Sequence, residues 1–138
     1  IEELVEFVRA ASNSEEEFQQ AVQDLHQALD IAAEKVSQST PTEKTLVGQV
    51  DALIDTLYFT YGSFVLMGVD PERIFEIVHQ ANMGKIFPDG KAHFDPVTHK
   101  ILKPDNWKEK YAPEPAIKKE IERQIKAYER HKERENQK

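Results

Sequence analysis

Residues 46–65 read LVGQVDALIDTLYFTYGSFV, and the fold class follows largely from this segment. Its apolar residues return every three or four positions, which places them on one face of an α-helix. The width of this apolar face predicts a helix that is deeply buried against partner helices. The face comprises Leu46, Val50, Leu53, Leu57, Tyr61 and Phe64, flanked by Val47, Ile54, Tyr58 and Val65.

Two further helices are predicted before this one. A short helix is expected over residues 1–11. Ser14 and Glu17 have the spacing of a capping box, which begins a second helix. Apolar residues then recur at helical spacing over positions 18–36. Thr42 or a neighbouring residue is expected to cap the third helix, because hydroxyl side chains bind free backbone N–H groups.

The sequence after the third helix predicts two more helices and a loop. Gly68 is expected to end the third helix, and Asp70, which precedes a proline, to cap a fourth helix over residues 71–82. Proline and glycine then become frequent, so a loop or small β-hairpin is expected over residues 86–103. A charged C-terminal helix is predicted from residue 113 onwards.

Length, charge and composition limit the classes of function. The chain has 138 residues, no cysteine and a formal net charge of −7. We expect one domain over residues 1–138, with a core over 14–84, a hairpin or loop over 85–112 and a helix over 113–138. The lack of cysteine excludes thiol catalysis and Cys-type zinc sites. The acidic balance argues against nucleic-acid binding, and the lack of a long apolar run predicts a cytoplasmic protein without membrane contact.

Two pairs of acidic residues lie four positions apart on the predicted helices, Asp30 with Glu34 and Asp51 with Asp55. This spacing places like charges on one helical face, at a cost of about 0.2–0.5 kcal/mol per pair. Asp51 and Asp55 also flank the broad apolar face, which predicts partial burial, and a buried charge needs a counter-ion or a metal. Mg²⁺ or Mn²⁺ would satisfy both pairs, with His26 as a further ligand. The alternative is that all five are ordinary solvated surface residues.

Candidate phosphate-binding residues follow the fourth helix. They are Asn82, Lys85, Lys91 and Lys103. A lysine placed by a turn can meet a phosphate oxygen as a point charge, although solvated turns are the alternative. The chain has no P-loop, GxGxxG or GxSxG motif, so any phosphate contacts would come from such single side chains.

These features together resemble the all-α nucleoside triphosphate pyrophosphohydrolase superfamily of MazG-like and phosphoribosyl-ATP pyrophosphohydrolase-like proteins. The later segments resemble the hairpin of a subgroup named haloacid-dehalogenase-like or Cof-like. The resemblance implies an all-α fold with a four-helix core, completed by a second subunit in a homodimer or higher homo-oligomer, plus a small hairpin and a C-terminal helix. The segments that carry it are VDALIDTLY at 50–58, GVD at 68–70, VHQANMGK at 78–85, FPDGK at 87–91 and KILKP at 100–104.

The resemblance implies a Mg²⁺-dependent (or Mn²⁺-dependent) hydrolase that splits a nucleoside triphosphate or related nucleotide into the monophosphate and pyrophosphate. The family binds its metal through an EExxE motif on one helix and an ExxD motif on the next. Asp55 matches the final Asp of ExxD. Ala52 stands where the motif has its glutamate, and Asp51, one position earlier, is the acidic residue that could replace that glutamate. Asp51 and Asp55 are therefore the expected catalytic residues, and Asp30 and Glu34 are the remaining expected metal ligands.

The departures from the family motifs leave other functions open. The predicted second helix does not carry EExxE, so a degenerate homologue that binds nucleotide or a protein partner without turnover is the main alternative. A helical interaction module that uses the charged tail at 113–138 is a third possibility. A nucleotide base could stack on Phe59 or Trp107, whereas Tyr58 and Tyr61 are expected in the core.

Overall fold

The computed structural model describes residues 1–38 and 46–137, and it confirms the predicted all-α fold class. A single isolated antiparallel bridge joins Phe94 and Ile101 within these ranges. The predicted cap at Thr42 lies outside the described residues. The helices are α1 (Glu2–Ala11), α2 (Glu15–Gln38), α3 (Leu46–Met67), α4 (Glu72–Met83), α5 (Trp107–Tyr111) and α6 (Glu114–Glu135).

The chain divides into two compact units, Ile1–Val50 and Asp51–Lys138. The expectation that residues 1–138 act as one domain stays a prediction. Within the described ranges, no helix combines the length and the hydropathy that a bilayer crossing requires. The cytoplasmic location likewise stays a prediction.

In the first unit, α1 packs against α2, and side chains at the turn between them hold the start of α2. The Ser14 hydroxyl accepts a hydrogen bond from the Glu17 backbone N–H at 3.2 Å, as a capping box requires. The Glu17 carboxylate reaches one residue further back than expected and accepts the Asn13 backbone N–H at 2.7 Å. Arg9 adds an ion pair to Glu15 at 2.7 Å. The predicted start of the second helix is confirmed.

Helix α3 ends in the way that the glycine predicts. Gly68 has φ +68°, a conformation that costs glycine little because it has no Cβ. Its N–H donates to the Val65 carbonyl, and the Val69 N–H donates to the Phe64 carbonyl, both at 3.0 Å. These two bonds form a Schellman motif, so the carbonyl groups of Phe64 and Val65 near the end of α3 are satisfied.

The prediction that α3 is deeply buried is wrong for the single chain, in which none of its described side chains is buried. Tyr58 and Tyr61, expected in the core, are 77% and 59% exposed. A helix with so broad an apolar face is buried only when other helices pack against it on more than one side. Within the described ranges, α1 packs against α2 and α4 packs against α6.

In the second unit, the start of α4 is joined to α6 through Asp70 and Gln124. The Gln124 side-chain amide accepts the Asp70 backbone N–H at 2.9 Å and donates to the Asp70 carbonyl at 3.0 Å. The Asp70 carboxylate in turn accepts the Glu72 N–H at 3.0 Å, as expected of a capping side chain, although the helix begins one residue later than expected and Pro71 is its N-cap residue.

The predicted hairpin is a compact loop with little regular pairing. The Asp95 N–H donates to the Lys100 carbonyl at 2.9 Å, and the Leu102 N–H donates to the His93 carbonyl at 2.8 Å. The Asp95 carboxylate also accepts the Thr98 N–H at 2.7 Å and closes the turn. Helix α5, which follows this loop, is not predicted by the sequence pattern because five residues are too few to show helical periodicity.

Candidate functional site

The four predicted metal ligands lie on exposed helix faces, Asp30 and Glu34 on α2 and Asp51 and Asp55 on α3. The partial burial expected for Asp51 and Asp55 is wrong in the single chain, because the apolar face beside them is itself uncovered. In the part of the chain that the structure describes, no basic side chain forms an ion pair with any of the four. Among the described residues, the like charges of each pair therefore have no ion-pair partner.

A complete metal-binding cluster is not present in the described residues of one chain. Over 1–38 and 46–137, no three His, Asp or Glu side chains lie together in a way that could hold a metal ion. Asp30 and Glu34 belong to the first compact unit, and Asp51 and Asp55 to the second. Each pair supplies carboxylate oxygens, the donors that Mg²⁺ and Mn²⁺ prefer, so the chemistry of the donors fits these metals. The four-carboxylate site stays a prediction.

Three of the four predicted phosphate-binding residues lie together at the end of α4. The Lys85 ammonium donates a 2.7 Å hydrogen bond to the Asn82 side-chain carbonyl. The Lys103 ammonium lies 4.2 Å from the centre of the Trp107 ring, and the Lys85 ammonium lies 6.0 Å from the same point. We refer to Asn82, Lys85, Lys103 and Trp107 as the lysine cluster.

Lys91, the fourth predicted phosphate ligand, lies in a separate turn. Its backbone N–H donates to the Asp89 carboxylate at 3.0 Å, and Gly90 adopts φ +77° to close the turn. The Asp89 carboxylate also contacts the His93 imidazole at 2.8 Å, and this hydrogen bond is the main cause that lowers the pKa of Asp89. Among the described residues, no contact joins the Lys91 side chain to the lysine cluster.

Trp107 has a structural position that the sequence pattern does not reveal. Its side chain is one of the few buried in the described chain, 8% exposed, and its indole N–H donates to the Ala81 carbonyl at 2.7 Å. A ring enclosed to this extent is not open to stack on a nucleotide base, so the expectation of base stacking at Trp107 is wrong. Phe59, the other candidate, is 75% exposed.

Close packing at Gly84 sets where α5 lies relative to the end of α4. A Cβ at residue 84 would come within 2.5 Å of Tyr111 Cγ, so the tyrosine ring rests on the glycine backbone. Tyr111 is the last residue of α5, and Trp107 is the first. The contact therefore places the Trp107 ring beside Lys85, the residue that follows Gly84.

The fold and the site define an all-α protein with helix-borne acid pairs and lysines clustered after a core helix. The chain belongs to the phosphoribosyl-ATP pyrophosphohydrolase (PRA-PH) family, whose sequence profile matches residues 1–82. This membership supports a hydrolase and the MazG-like all-α fold. The matched segment includes both acid pairs and Asn82, and it ends before Lys85, Lys103 and Trp107.

A solved structure extends the similarity over most of the chain. It is the 1.78 Å crystal structure of a proposed NTP pyrophosphohydrolase from Exiguobacterium sp. 255-15. This protein is 43% identical in sequence, with a TM-score of 0.79, and the match covers 92% of the present chain and 75% of the neighbour. No protein among curated sequences matches the chain significantly.

Proposed function

We propose that the chain is a divalent-metal-dependent nucleotide pyrophosphohydrolase that converts a nucleoside triphosphate and water into the monophosphate and pyrophosphate. The observation that carries the proposal is the placement of both acid pairs. They lie inside the segment that matches a pyrophosphohydrolase family, on exposed helix faces and without basic partners in the described residues. A structure of similar fold and sequence belongs to a proposed NTP pyrophosphohydrolase, which supports the same reaction class.

Asp30, Glu34, Asp51 and Asp55 are the proposed ligands of Mg²⁺ or Mn²⁺. These four carboxylates would hold the metal, whose chemistry there would be to neutralise phosphate charge and to make a water molecule acidic enough to act as the nucleophile. Asp51 and Asp55 are the proposed catalytic pair, because Asp55 occupies the conserved acidic position of the ExxD pattern and Asp51 stands near the missing glutamate. Their contribution is to hold two adjacent negative charges on one helical face.

The lysine cluster is the proposed contact for substrate phosphates. Asn82 and Lys85 are already joined by a hydrogen bond, and Lys103 lies beside the same indole ring. Ammonium groups bind the anionic phosphate oxygens of the substrate as point charges. Lys91, on the neighbouring turn, is proposed as a further and separate phosphate contact.

A homodimer or higher homo-oligomer is the proposed assembly. The apolar face of α3 is exposed except at the half-buried Phe64, and an isolated chain in water tolerates such exposure poorly. Leu57, near its middle, is 52% exposed, and Val65, near its end, is 78% exposed. Covering this face with a second copy would also partly enclose Asp51 and Asp55, which flank it. The burial that the sequence predicts for these carboxylates would then arise in the assembled protein.

A homologue without turnover is the second candidate function, and a specific feature favours it. Ala52 occupies the position where the ExxD pattern requires glutamate, and the EExxE pattern is absent from α2, although residues 2–6 of α1 read EELVE. Such a protein would bind nucleotide or a protein partner through the same faces without hydrolysis.

A hydrolysis panel separates the two candidates. The folded chain is incubated with Mg²⁺ or Mn²⁺ and each common nucleoside triphosphate and diphosphate, and released pyrophosphate and monophosphate are measured. Turnover that is lost in Asp55→Asn but kept in Asp24→Asn, an exposed acid on α2 outside the pairs, supports the enzyme. Nucleotide binding by calorimetry without any product supports the homologue without turnover.

A further inference from the structure

The indole of Trp107 is held rigidly against the end of α4. Its N–H group is bonded to the Ala81 carbonyl at 2.7 Å, and Ala81 is itself buried. The bond joins residues that are 26 positions apart in sequence. The orientation of the ring is therefore set by the backbone of α4 and does not depend on a mobile side chain.

Two ammonium groups lie beside this fixed ring, and neither has an acidic partner in the described chain. Lys103 Nζ lies 4.2 Å and Lys85 Nζ 6.0 Å from the ring centre. Both distances are within the range of cation–π attraction. The chain has 25 acidic and 18 basic residues, yet no carboxylate of the described residues pairs with either lysine. The positive charge of the pair is left available for an anion.

We propose that Trp107 is a positioning residue that holds the Lys103 and Lys85 ammonium groups together as one binding site for the polyphosphate group of the substrate. The inference rests on the proposed phosphate-binding function of the two lysines. Lysine side chains are flexible, and two like charges repel each other in the absence of ligand. The negative face of the indole attracts both ammonium groups, so less ordering is needed when the polyphosphate binds.

The position of the cluster in the chain supports this function. Ala81, the anchor of the ring, lies in the last turn of α4 beside Asn82, which already binds Lys85. Lys103 and Trp107 come from the other side of the loop, so the indole brings together lysines from both ends of the loop. The family profile ends at residue 82, so Lys85, Lys103 and Trp107 lie in the part of the chain beyond it.

The chain contains a single tryptophan, so its fluorescence reports on this cluster alone. The probe is inorganic tripolyphosphate, titrated by calorimetry and by tryptophan emission. For the unmodified chain, the change in tryptophan emission should give the same dissociation constant as calorimetry.

Lys103→Met should weaken tripolyphosphate binding by about tenfold or more, since it removes a charged hydrogen-bond donor. Lys108→Met, on the short helix α5 that begins at Trp107, should bind normally, because Lys108 forms no ion pair within the described chain and lies outside the lysine cluster.

Variants of the ring separate positioning from a general structural effect. Trp107→Phe keeps an aromatic face, and we expect its affinity to stay within about threefold, whereas Trp107→Leu should lose about tenfold. The double variant Trp107→Leu with Lys103→Met should lose less affinity than the sum of the two single losses, because part of the effect of the indole acts through Lys103. In hydrolysis assays, Trp107→Leu should raise KM and leave kcat nearly unchanged.

Three outcomes would overturn the inference. One is calorimetric binding of tripolyphosphate with no change in Trp107 emission, and this test holds even if Trp107→Leu does not fold. Another is full affinity in a folded Trp107→Leu, and the third is additive losses in the double variant. If Lys103→Met still weakens tripolyphosphate binding in these cases, the proposed phosphate-binding role of the lysines is kept and only the role of the indole is rejected. If Lys85→Met and Lys103→Met both bind normally, the phosphate function of the lysines fails as well.

Discussion

The Tyr111 ring lies directly over Gly84, so closely that a Cβ at residue 84 would be 2.5 Å from the ring Cγ and 2.6 Å from Cδ2. Gly84 has φ −66°, an ordinary value for any residue, so the requirement for glycine here is one of space. This contact brings α5 against the end of α4, where Asn82 and Lys85 lie.

Gly84→Ala should destabilise the protein by about 1–3 kcal/mol, because the added methyl group overlaps an aromatic ring that cannot easily move aside. Denaturant unfolding measures the change. Tyr111→Leu in the same chain should restore part of the loss, since it removes the overlapping ring. Gly62→Ala is the matched control, because nothing lies within 4 Å of its Cβ position and alanine favours the helix. Equal stability of Gly84→Ala and the unmodified chain would contradict the packing at this contact.

Lys85→Ala should weaken nucleotide binding by about 1.5–3 kcal/mol, the range for a hydrogen bond to a charged group. Its free energy of unfolding should change by less than about 0.5 kcal/mol, because a lysine at a turn contributes little to stability. Calorimetry with a nucleoside triphosphate and thermal unfolding measure the two effects. A loss of stability with unchanged affinity would show that the bond from Lys85 to Asn82 is structural.

Millimolar Mg²⁺ or Mn²⁺ should raise the melting temperature, because a ligand that binds only the folded state stabilises it by about 2.7 kcal/mol at a hundredfold excess over Kd. Asp55→Asn should abolish the rise, since it removes one proposed metal ligand. Asp24→Asn should retain it. A melting temperature that responds to neither metal would count against the four-carboxylate site.

Leu57→Glu should disrupt self-association, because it places a charge in the middle of the apolar face of α3. Light scattering after size exclusion should then give a lower mass than for the unmodified chain. Val97→Glu is the control, since Val97 is 83% exposed in the loop and lies outside α3. A monomeric mass for the unmodified chain at micromolar concentration would refute the proposed assembly.

Stability at low pH should depend on Glu120. Its carboxylate accepts two hydrogen bonds from Arg123, at 2.6 and 2.8 Å, and one from Gln124. The bonds from Arg123, followed by the one from Gln124, lower the pKa of Glu120 from 4.5 to about 2. Because the pKa of Glu120 is lower in the folded state than in the unfolded state, its carboxylate contributes fully to the stability of the fold above pH 4.5. This contribution is lost as the pH falls towards 2.

The comparison with Glu120→Gln measures this contribution. The unmodified chain should melt at a higher temperature than the variant at pH 6, and the difference should shrink as the pH falls from 4.5 to 2. Glu129→Gln, on the exposed part of the same helix, should show no such trend. A difference that is constant across this range would contradict the shifted pKa.

The helix limits could be predicted because their causes are local. Ser14 caps α2 through a residue three positions away, and Gly68 ends α3 through bonds that reach back no more than five positions. Asp70 likewise caps a residue two positions ahead. Interactions of this range depend on residues that are neighbours in the chain, so their pattern is visible without knowledge of the fold.

The candidate site could be predicted only as separate parts. The i,i+4 spacing of Asp51 and Asp55 is a property of one helix, and the position of Lys85 after α4 follows from the helix limits. Burial is different, because it depends on which other elements cover a face. The periodicity of α3 correctly predicted an apolar face but not that the face is uncovered in one chain.

Contacts between distant residues required the tertiary structure. The Trp107 bond to Ala81 spans 26 positions and the bonds between Gln124 and Asp70 span 54, and no local pattern specifies either. The same holds for the contact of Tyr111 with Gly84. Because glycine has no Cβ, α5 can pack closely against the end of α4. Periodicity and capping specify each helix by itself, while the meeting of side chains from separate elements depends on shape and distance in three dimensions.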